Sequence, residues 1–196
     1  MNEQIARWDE RFARGEELHG YQPSPPLPAA TLGLSPGLAL DLACGAGRHA
    51  LWLAERGWRV HAIDGSRVAI GRLVEEAGRK NLAGQVTTQV EDLEAPGFAL
   101  GPGLHDLVCD FYFLHRPLFA LIRRAVRPGG LFVAAIHVEG GTTLGRFLLA
   151  PGELRALAES WGWRVLSYRE GDSPESAHRH PTAELVAQRP LEESKT

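Results

Sequence analysis

The sequence predicts an α/β fold, a mostly parallel sheet with helices on both faces, and three observations carry that expectation. From Leu38 onward, strand-type and helix-type segments alternate regularly. The first strand-type segment breaks at two closely spaced glycines and runs directly into a helical pattern, LDLACGAGRHALWLAERG. A chain of 196 residues is long enough for one well-cored domain and short for two.

Taken in order, Asn2 to Leu18 place Ile5, Trp8 and Phe12 on one face at spacings of three and four, as one amphipathic helix or two short pieces. GYQPSPPLPAATLGLSPG follows, and its prolines are expected to forbid regular helix and to hold a fixed, extended loop. Residues 1–37 therefore read either as a lid packed over a core or as a helix that only covers the sheet edge. Leu38 to Ala43 is a buried strand, and Arg48 to Arg56 a helix that Gly57 stops. Trp58 to Ile63 resumes a strand that ends at Asp64. Ser66 is placed to N-cap a helix from Val68 to Glu76 or slightly beyond.

Gln85 to Val90 alternates as a strand and leads into EDLEAP. Asp106 to Phe111 is the next strand, and Pro117 opens a helix through Val126, which Arg127 to Gly130 stop. LFVAAIHV is a fifth strand, Glu153 to Ser160 a helix, and WRVLSYRE with AELVAQRP a final pair of strands. Residues 191–196 read as a disordered tail.

Charge and composition narrow the function. The net charge is −3 and the arginines are scattered, which weighs against a nucleic-acid partner. The start, MNEQIARWDERFARGEELHG, is charged and lacks the apolar segment of a secretory signal. No window approaches about 18 consecutive apolar residues, so a soluble, cytoplasmic protein without a membrane partner is expected. Cys44 and Cys109 have no C-x-x-C partner and read as reduced thiols. His178 and His180 lack the further ligands that a metal site needs, so no metal is expected.

The glycine break raises the question of its ligand. Gly45, Gly47 and Ala50 formally match G-x-G-x-x-G/A, which in a dinucleotide enzyme holds a pyrophosphate at the helix N-terminus. Asp64 lies about 20 positions on, where an acid accepts hydrogen bonds from ribose hydroxyls. S-adenosylmethionine (SAM) also carries an adenosine but has no phosphate. Asp41, four residues before the first glycine, would repel a pyrophosphate and attract the cationic amino group of SAM. A dinucleotide-dependent oxidoreductase, NAD(P)-linked, remains the alternative, opposed by Asp41 and by the lack of room for a second domain.

The combination LDLACGAGRHA, HAID, VEDLE and AVRPGGLFV resembles the class I SAM-dependent methyltransferases over nearly the whole chain. RWDERFARGEELHGYQPSPP, LHRPLFALIRRAVRPGG and RFLLAPGELRALAESWGWRVLSYRE further resemble the small bacterial group that includes tellurite-resistance and thiopurine-type methyltransferases. This resemblance implies one Rossmann-like domain over residues 38–190. Its seven-stranded sheet would have the order 3-2-1-4-5-7-6 with strand 7 antiparallel, in a monomer or homodimer. It implies SAM as cofactor and S-adenosylhomocysteine as product. Asp41 would hold the methionyl amino group, with Cys44, Gly45, Ala46 and Gly47 along its backbone side. Asp64, Gly65 and Ser66 would hold the ribose, Asp92 and Leu93 the adenine, and Asp110 would sit beside the cofactor.

The acceptor is expected to be a small molecule: a thiol, a thiopurine-like heterocycle, or a tellurium or selenium oxyanion. Transfer from a sulfonium is an in-line displacement, so alignment and exclusion of water matter most. Phe111, Tyr112 and Phe113 are candidates to wall the methyl site, with some of them turned into the core instead. His115 is the candidate base, or else a helix cap, and Arg116 suits an anionic acceptor. Trp8, Phe12 and Tyr21 would lie over the acceptor if the N-terminal segment is a lid, and His137 ends the fifth strand on the ligand side. The following loop, VEGGTTLGRF, is shorter and richer in glycine than the pattern of the group. Two readings stay open beside catalysis on a small molecule: a SAM-binding module without turnover, and an RNA or protein acceptor.

Overall fold

A computed structural model describes residues 3–15, 22–140, 147–173, 175 and 180–192. Tyr21, His178, Gly141, Gly145 and residues 193–196 lie outside the described residues. The chain forms two compact units, residues 1–98 and 99–196. The strands form one seven-stranded sheet of order β3-β2-β1-β4-β5-β7-β6, as the sequence resemblance implies.

In the first unit, β1 (Leu38–Leu42) pairs in parallel with β2 (Arg59–Asp64), and β2 with β3 (Val86–Val90). The crossovers are α3 (Arg48–Ala54) and α4 (Arg67–Arg79). In β1, Ala39 to Leu42 are all buried, the pattern of a strand covered on both faces, whereas edge strand β3 alternates half-buried and exposed. Ser66 caps α4 as expected, its Oγ accepting from the Ala69 N–H at 3.0 Å.

Two N-terminal helices precede the sheet. The first, α1 (Glu3–Ala13), is a single helix that ends in a turn at Arg14 and Gly15. The proline-rich stretch is not the extended loop expected from its composition, because Pro26–Thr31 form the short helix α2. Pro26 and Pro28 fall in its first turn, where backbone N–H groups have no helical partner, so proline costs nothing there. The Thr31 hydroxyl closes the helix by donating to the Leu27 carbonyl at 2.9 Å, and Leu27 itself is fully buried.

In the second unit, β4 (His105–Phe111) pairs in parallel with β5 (Val126–His137). Antiparallel β7 (Thr182–Gln188) pairs with β5 and with β6 (Arg164–Gly171). Helices α5 (Arg116–Ala125) and α6 (Glu153–Ser160) complete this unit. The fifth strand starts five residues earlier than its apolar run, LFVAAIHV, indicates. The Pro-Gly-Gly segment lies within it as an irregularity, with His105 opposite Val126 but Leu107 opposite Leu131. Its backbone is satisfied by Arg189, which accepts from Gly129 at 2.9 Å and donates to Gly130 at 3.0 Å. Among the described residues, no helix is long and apolar enough to cross a membrane.

Candidate functional site

The glycine turn after β1 builds a cradle in the first unit. Ala43, Gly45 and Gly47 all have positive φ, at 51°, 56° and 86°. This winds the chain back so that the Gly47 N–H reaches the Cys44 carbonyl at 3.0 Å. The Cys44 N–H is anchored to the Ile63 carbonyl of β2 at 3.1 Å. Gly47 is required twice over, because a Cβ there would lie 2.2 Å from Leu73 Cδ1 of α4. Cys44 and Cys109 are buried, and burial pushes the Cys44 thiol well up.

Two carboxylates lie at this turn. Asp64, at the end of β2, accepts from the Gly45 N–H at 2.8 Å through Oδ2 and from the Ser66 N–H at 2.7 Å through Oδ1. Burial raises its pKa, and these two bonds oppose the rise. Asp41, within β1, is 1% exposed. It receives a backbone hydrogen bond from Ala50, yet its Oδ2 has no hydrogen-bond partner among the described residues. Burial pushes Asp41 up to about 7 from 3.8, with the nearby Asp64 charge adding to the rise. A buried, unpartnered carboxylate oxygen next to a backbone turn is what a cationic amino group would complete. It is the wrong charge for a pyrophosphate.

Helix α1 lies directly on this cradle. A Cβ on Gly65 would meet Ile5 Cδ1 at 2.7 Å, and a Cβ on Gly45 would meet Phe12 Cζ at 3.2 Å. Between them, Asp9 Oδ1 accepts from the Ser66 hydroxyl and from the Val68 N–H at 3.2 Å. Asp9 was not singled out by sequence, although Ile5, Asp9 and Phe12 share one helical face at spacings of four and three. Trp8, expected on that face, is 38% exposed and packs against Phe12 at 5.9 Å, with the Arg11 guanidinium over its ring.

Asp92 closes a local turn, accepting from the Glu94 N–H at 3.0 Å, and Leu93 is buried. The Glu91 N–H donates to the Asp64 carbonyl at 3.0 Å, which ties the end of β3 to the cradle.

In the second unit, Asp110 is fully buried near the end of β4, opposite Ala134 of β5. Phe111 is buried, and Tyr112 and Phe113 are half-buried. Tyr112 has φ 63°, its N–H donates to the Ala135 carbonyl at 2.7 Å, and its ring stands 5.3 Å from that of His137. Its hydroxyl donates to Glu175 Oε1 at 2.5 Å. No sequence signal marks Glu175, which lies 63 residues away along the chain. Burial, then His180, lowers the His137 pKa. His115 stands at the N-cap position of α5 without a side-chain cap bond. Arg116 is held by Glu153 in a two-pronged pair at 2.6 and 2.8 Å. Among the described residues, no group of His, Cys, Asp and Glu is arranged to hold a metal ion.

Residues 39–130, from β1 through the Pro-Gly-Gly segment, match the family of methyltransferase domains. A ribosomal RNA small subunit methyltransferase C of Alcanivorax borkumensis is 31% identical over 102 residues, covering 49% of this chain and 31% of that protein. The chain spans half or less of the length of the curated relatives it matches. Among solved structures, TehB from Haemophilus influenzae superposes with a TM-score of 0.70 at 22% identity, covering 83% of this chain and 61% of that one. A 1,6-didemethyltoxoflavin-N1-methyltransferase of Burkholderia thailandensis, solved with 1,6-didemethyltoxoflavin and S-adenosylhomocysteine, superposes with a TM-score of 0.69 at 16% identity. That superposition covers 95% of this chain and 87% of that one. At these identities the likeness is one of fold.

Proposed function

We propose that the protein is a SAM-dependent methyltransferase that acts on a small-molecule acceptor. The observation that carries this reading is Asp41, whose buried Oδ2 lacks a hydrogen-bond partner among the described residues, beside the Gly45–Gly47 turn. Its charge suits the methionyl amino group and opposes the pyrophosphate of the oxidoreductase alternative. The seven-strand order, the domain match and the likeness to TehB support the same reading.

Bound SAM supplies a sulfonium methyl that is displaced in line by a nucleophile. Asp41 binds the amino end, with Cys44, Gly45, Ala46 and Gly47 offering backbone along it. Asp64 turns its remaining lone pairs to the ribose hydroxyls, beside Gly65 and Ser66, since a carboxylate accepts several hydrogen bonds at once. Asp92 and Leu93 serve the adenine. Helix α1 acts as a lid whose Ile5, Asp9 and Phe12 cover the cradle and exclude water. Asp110, Phe111, Tyr112, Phe113, His115, Arg116 and His137 belong to the acceptor side. The acceptor is a thiol, a thiopurine-like heterocycle, or a tellurium or selenium oxyanion.

A second reading, an RNA acceptor, is favoured by the name of the ribosomal RNA methyltransferase relative. A steep fall of substrate affinity with salt would identify it.

Calorimetric titration with SAM, S-adenosylhomocysteine and NADH tests the proposal. Binding of both sulfur nucleotides without a response to NADH is expected. Binding of NADH alone would make Gly45 to Ala50 a pyrophosphate turn and end the methyltransferase reading.

A further inference from the structure

We propose that a groove between helices α5 and α6 binds a nucleotide, with the base on Trp161 and the phosphate on Arg123 and Arg124. All of the lining falls within residues 99–196, and none of it belongs to the glycine cradle. The site stands whichever acceptor takes the methyl group.

The two helices build the walls. Arg116, Ala120 and Arg123 follow one another along α5 at spacings of four and three, and Glu153, Leu157 and Trp161 run along α6 to its C-cap at spacings of four. The Arg116–Glu153 pair, at 2.6 Å, bridges the walls at one end. At the other, Arg189 donates to the Val126 carbonyl at 2.7 Å, just past the end of α5. The groove holds about 760 Å³, within the range of about 300–1,000 Å³ that small-ligand clefts occupy.

The charge along it is uneven. Its two acids each stand against an arginine, Glu153 against Arg116 and Glu192 against Arg189 at 3.5 Å. Arg123 and Arg124 are exposed and make no ion pair among the described residues. Two guanidinium groups therefore line the groove without an acid. Their place in the last turn of α5 suits the helix dipole, which accounts for their charge but not for the rings that share the groove. The net charge of −3 averages over this patch.

The rings are set by the backbone. Gly162, at φ 72°, ends α6 in a left-handed turn: its N–H donates to the Glu159 carbonyl at 2.9 Å, and the Trp163 N–H to the Ala158 carbonyl at 3.1 Å. The turn places Trp161 edge-on to Trp163 at 5.0 Å and tilted against Phe132 at 6.3 Å. Trp163 is buried and Trp161 half-buried, so Trp161 supplies the accessible ring. A fixed ring beside unpaired guanidinium groups selects a ligand with both a flat face and an anion. Such a ring stacks on a base of any identity, and guanidinium forks grip phosphate oxygens in pairs. Inorganic phosphate meets only the arginines, and an uncharged nucleoside only the ring.

The test is calorimetric titration of the full chain with adenosine monophosphate (AMP), adenosine, inorganic phosphate and a single-stranded tetranucleotide of adenylate, with S-adenosylhomocysteine in excess to compete for the cradle. AMP is expected to bind about tenfold or more tightly than adenosine or phosphate. The double variant Arg123→Gln/Arg124→Gln should lose about tenfold or more in AMP affinity, and Trp161→Ala roughly 5- to 100-fold, with Trp161→Phe keeping most of it. Affinity for S-adenosylhomocysteine should be the same in all of them. Because Trp161 also packs on Phe132, the exposed arginine variant keeps the test decisive if Trp161→Ala fails to fold. Tighter binding of the tetranucleotide than of AMP assigns the site to a single strand, equal affinity assigns it to a free nucleotide, and both retain it. No binding of AMP or the tetranucleotide, phosphate binding as tightly as AMP, or an AMP affinity unchanged in the arginine variant overturns the site.

Discussion

The Asp64 carboxylate accepts the backbone N–H of Gly45 at 2.8 Å, so the acid at the end of β2 fixes the glycine turn at the end of β1. The same carboxylate takes the Ser66 N–H at 2.7 Å, so one side chain sets the spacing of turn, strand end and the cap of α4. Asp64→Ala removes both acceptors and the proposed ribose contact. Each such charge-assisted bond is worth about 1.5–3 kcal/mol. SAM affinity is expected to fall by at least about 1 kcal/mol, close to fivefold, with the fold intact by circular dichroism. Unchanged affinity in calorimetry would mean that the ribose is held elsewhere.

Asp41 gives the site a pH dependence whose sign is fixed by its environment. Its folded value of about 7 lies above the ordinary 3.8, because burial disfavours the charged form. Protonated Asp41 therefore stabilises the fold fully below 3.8, and this contribution is lost as the pH rises through 7. A bound ammonium favours the ionised form, so SAM binding should release a proton near pH 6. Affinity should then rise with pH up to about 7, by at most about tenfold per pH unit. Titrations in buffers of different ionisation enthalpy measure the released proton. A wild-type affinity that is flat with pH, or an unchanged profile in Asp41→Asn, would separate Asp41 from the cation.

Gly47 tests the turn itself. A Cβ would lie 2.2 Å from Leu73 Cδ1, on a backbone at φ 86°. Gly47→Ala should destabilise the fold by about 1–3 kcal/mol from clash and strain together. Leu73→Ala opens the space and on its own costs about 2–5 kcal/mol. Because the clash disappears in the double variant, its loss in urea denaturation should be smaller than the sum of the two single losses. Strict additivity would place the whole cost of Gly47→Ala in the backbone angle.

Legibility in the sequence followed the range of the interactions. The glycine turn, the end of β2 at Asp64 and the Ser66 cap were readable because each is written in neighbouring residues, whereas the strand order came only with the family resemblance. The helix at Pro26–Thr31 was not, since proline ordinarily punctuates loops and only its place in the first turn permits a helix. The early start of β5 was hidden because Pro128, Gly129 and Gly130 resemble a stop, while the bonds that make them strand come from Arg189. On α1 the apolar spacing pointed to Trp8, and the polar residue of the contacting face, Asp9, carried no hydrophobic signal. Glu175 meets Tyr112 across 63 residues of chain, a pairing that only the fold creates.

Asp9 decides whether α1 works as a lid. Its Oδ1 accepts from the Ser66 hydroxyl and the Val68 N–H, so it caps α4 from another helix and fastens α1 to the cradle. Asp9→Ala loses an interaction of the N-cap kind, worth about 1 kcal/mol, whereas Asp9→Asn keeps an acceptor oxygen and should lose less. Ile5 and Phe12 still hold α1 by apolar contact. Trypsin cleavage at Arg7, Arg11 and Arg14 should accelerate several-fold in Asp9→Ala, and S-adenosylhomocysteine should dissociate faster. Bound S-adenosylhomocysteine should slow the cleavage in the wild type if the helix closes over the nucleoside. Faster cleavage without faster dissociation would make α1 a cover for the sheet edge rather than a lid.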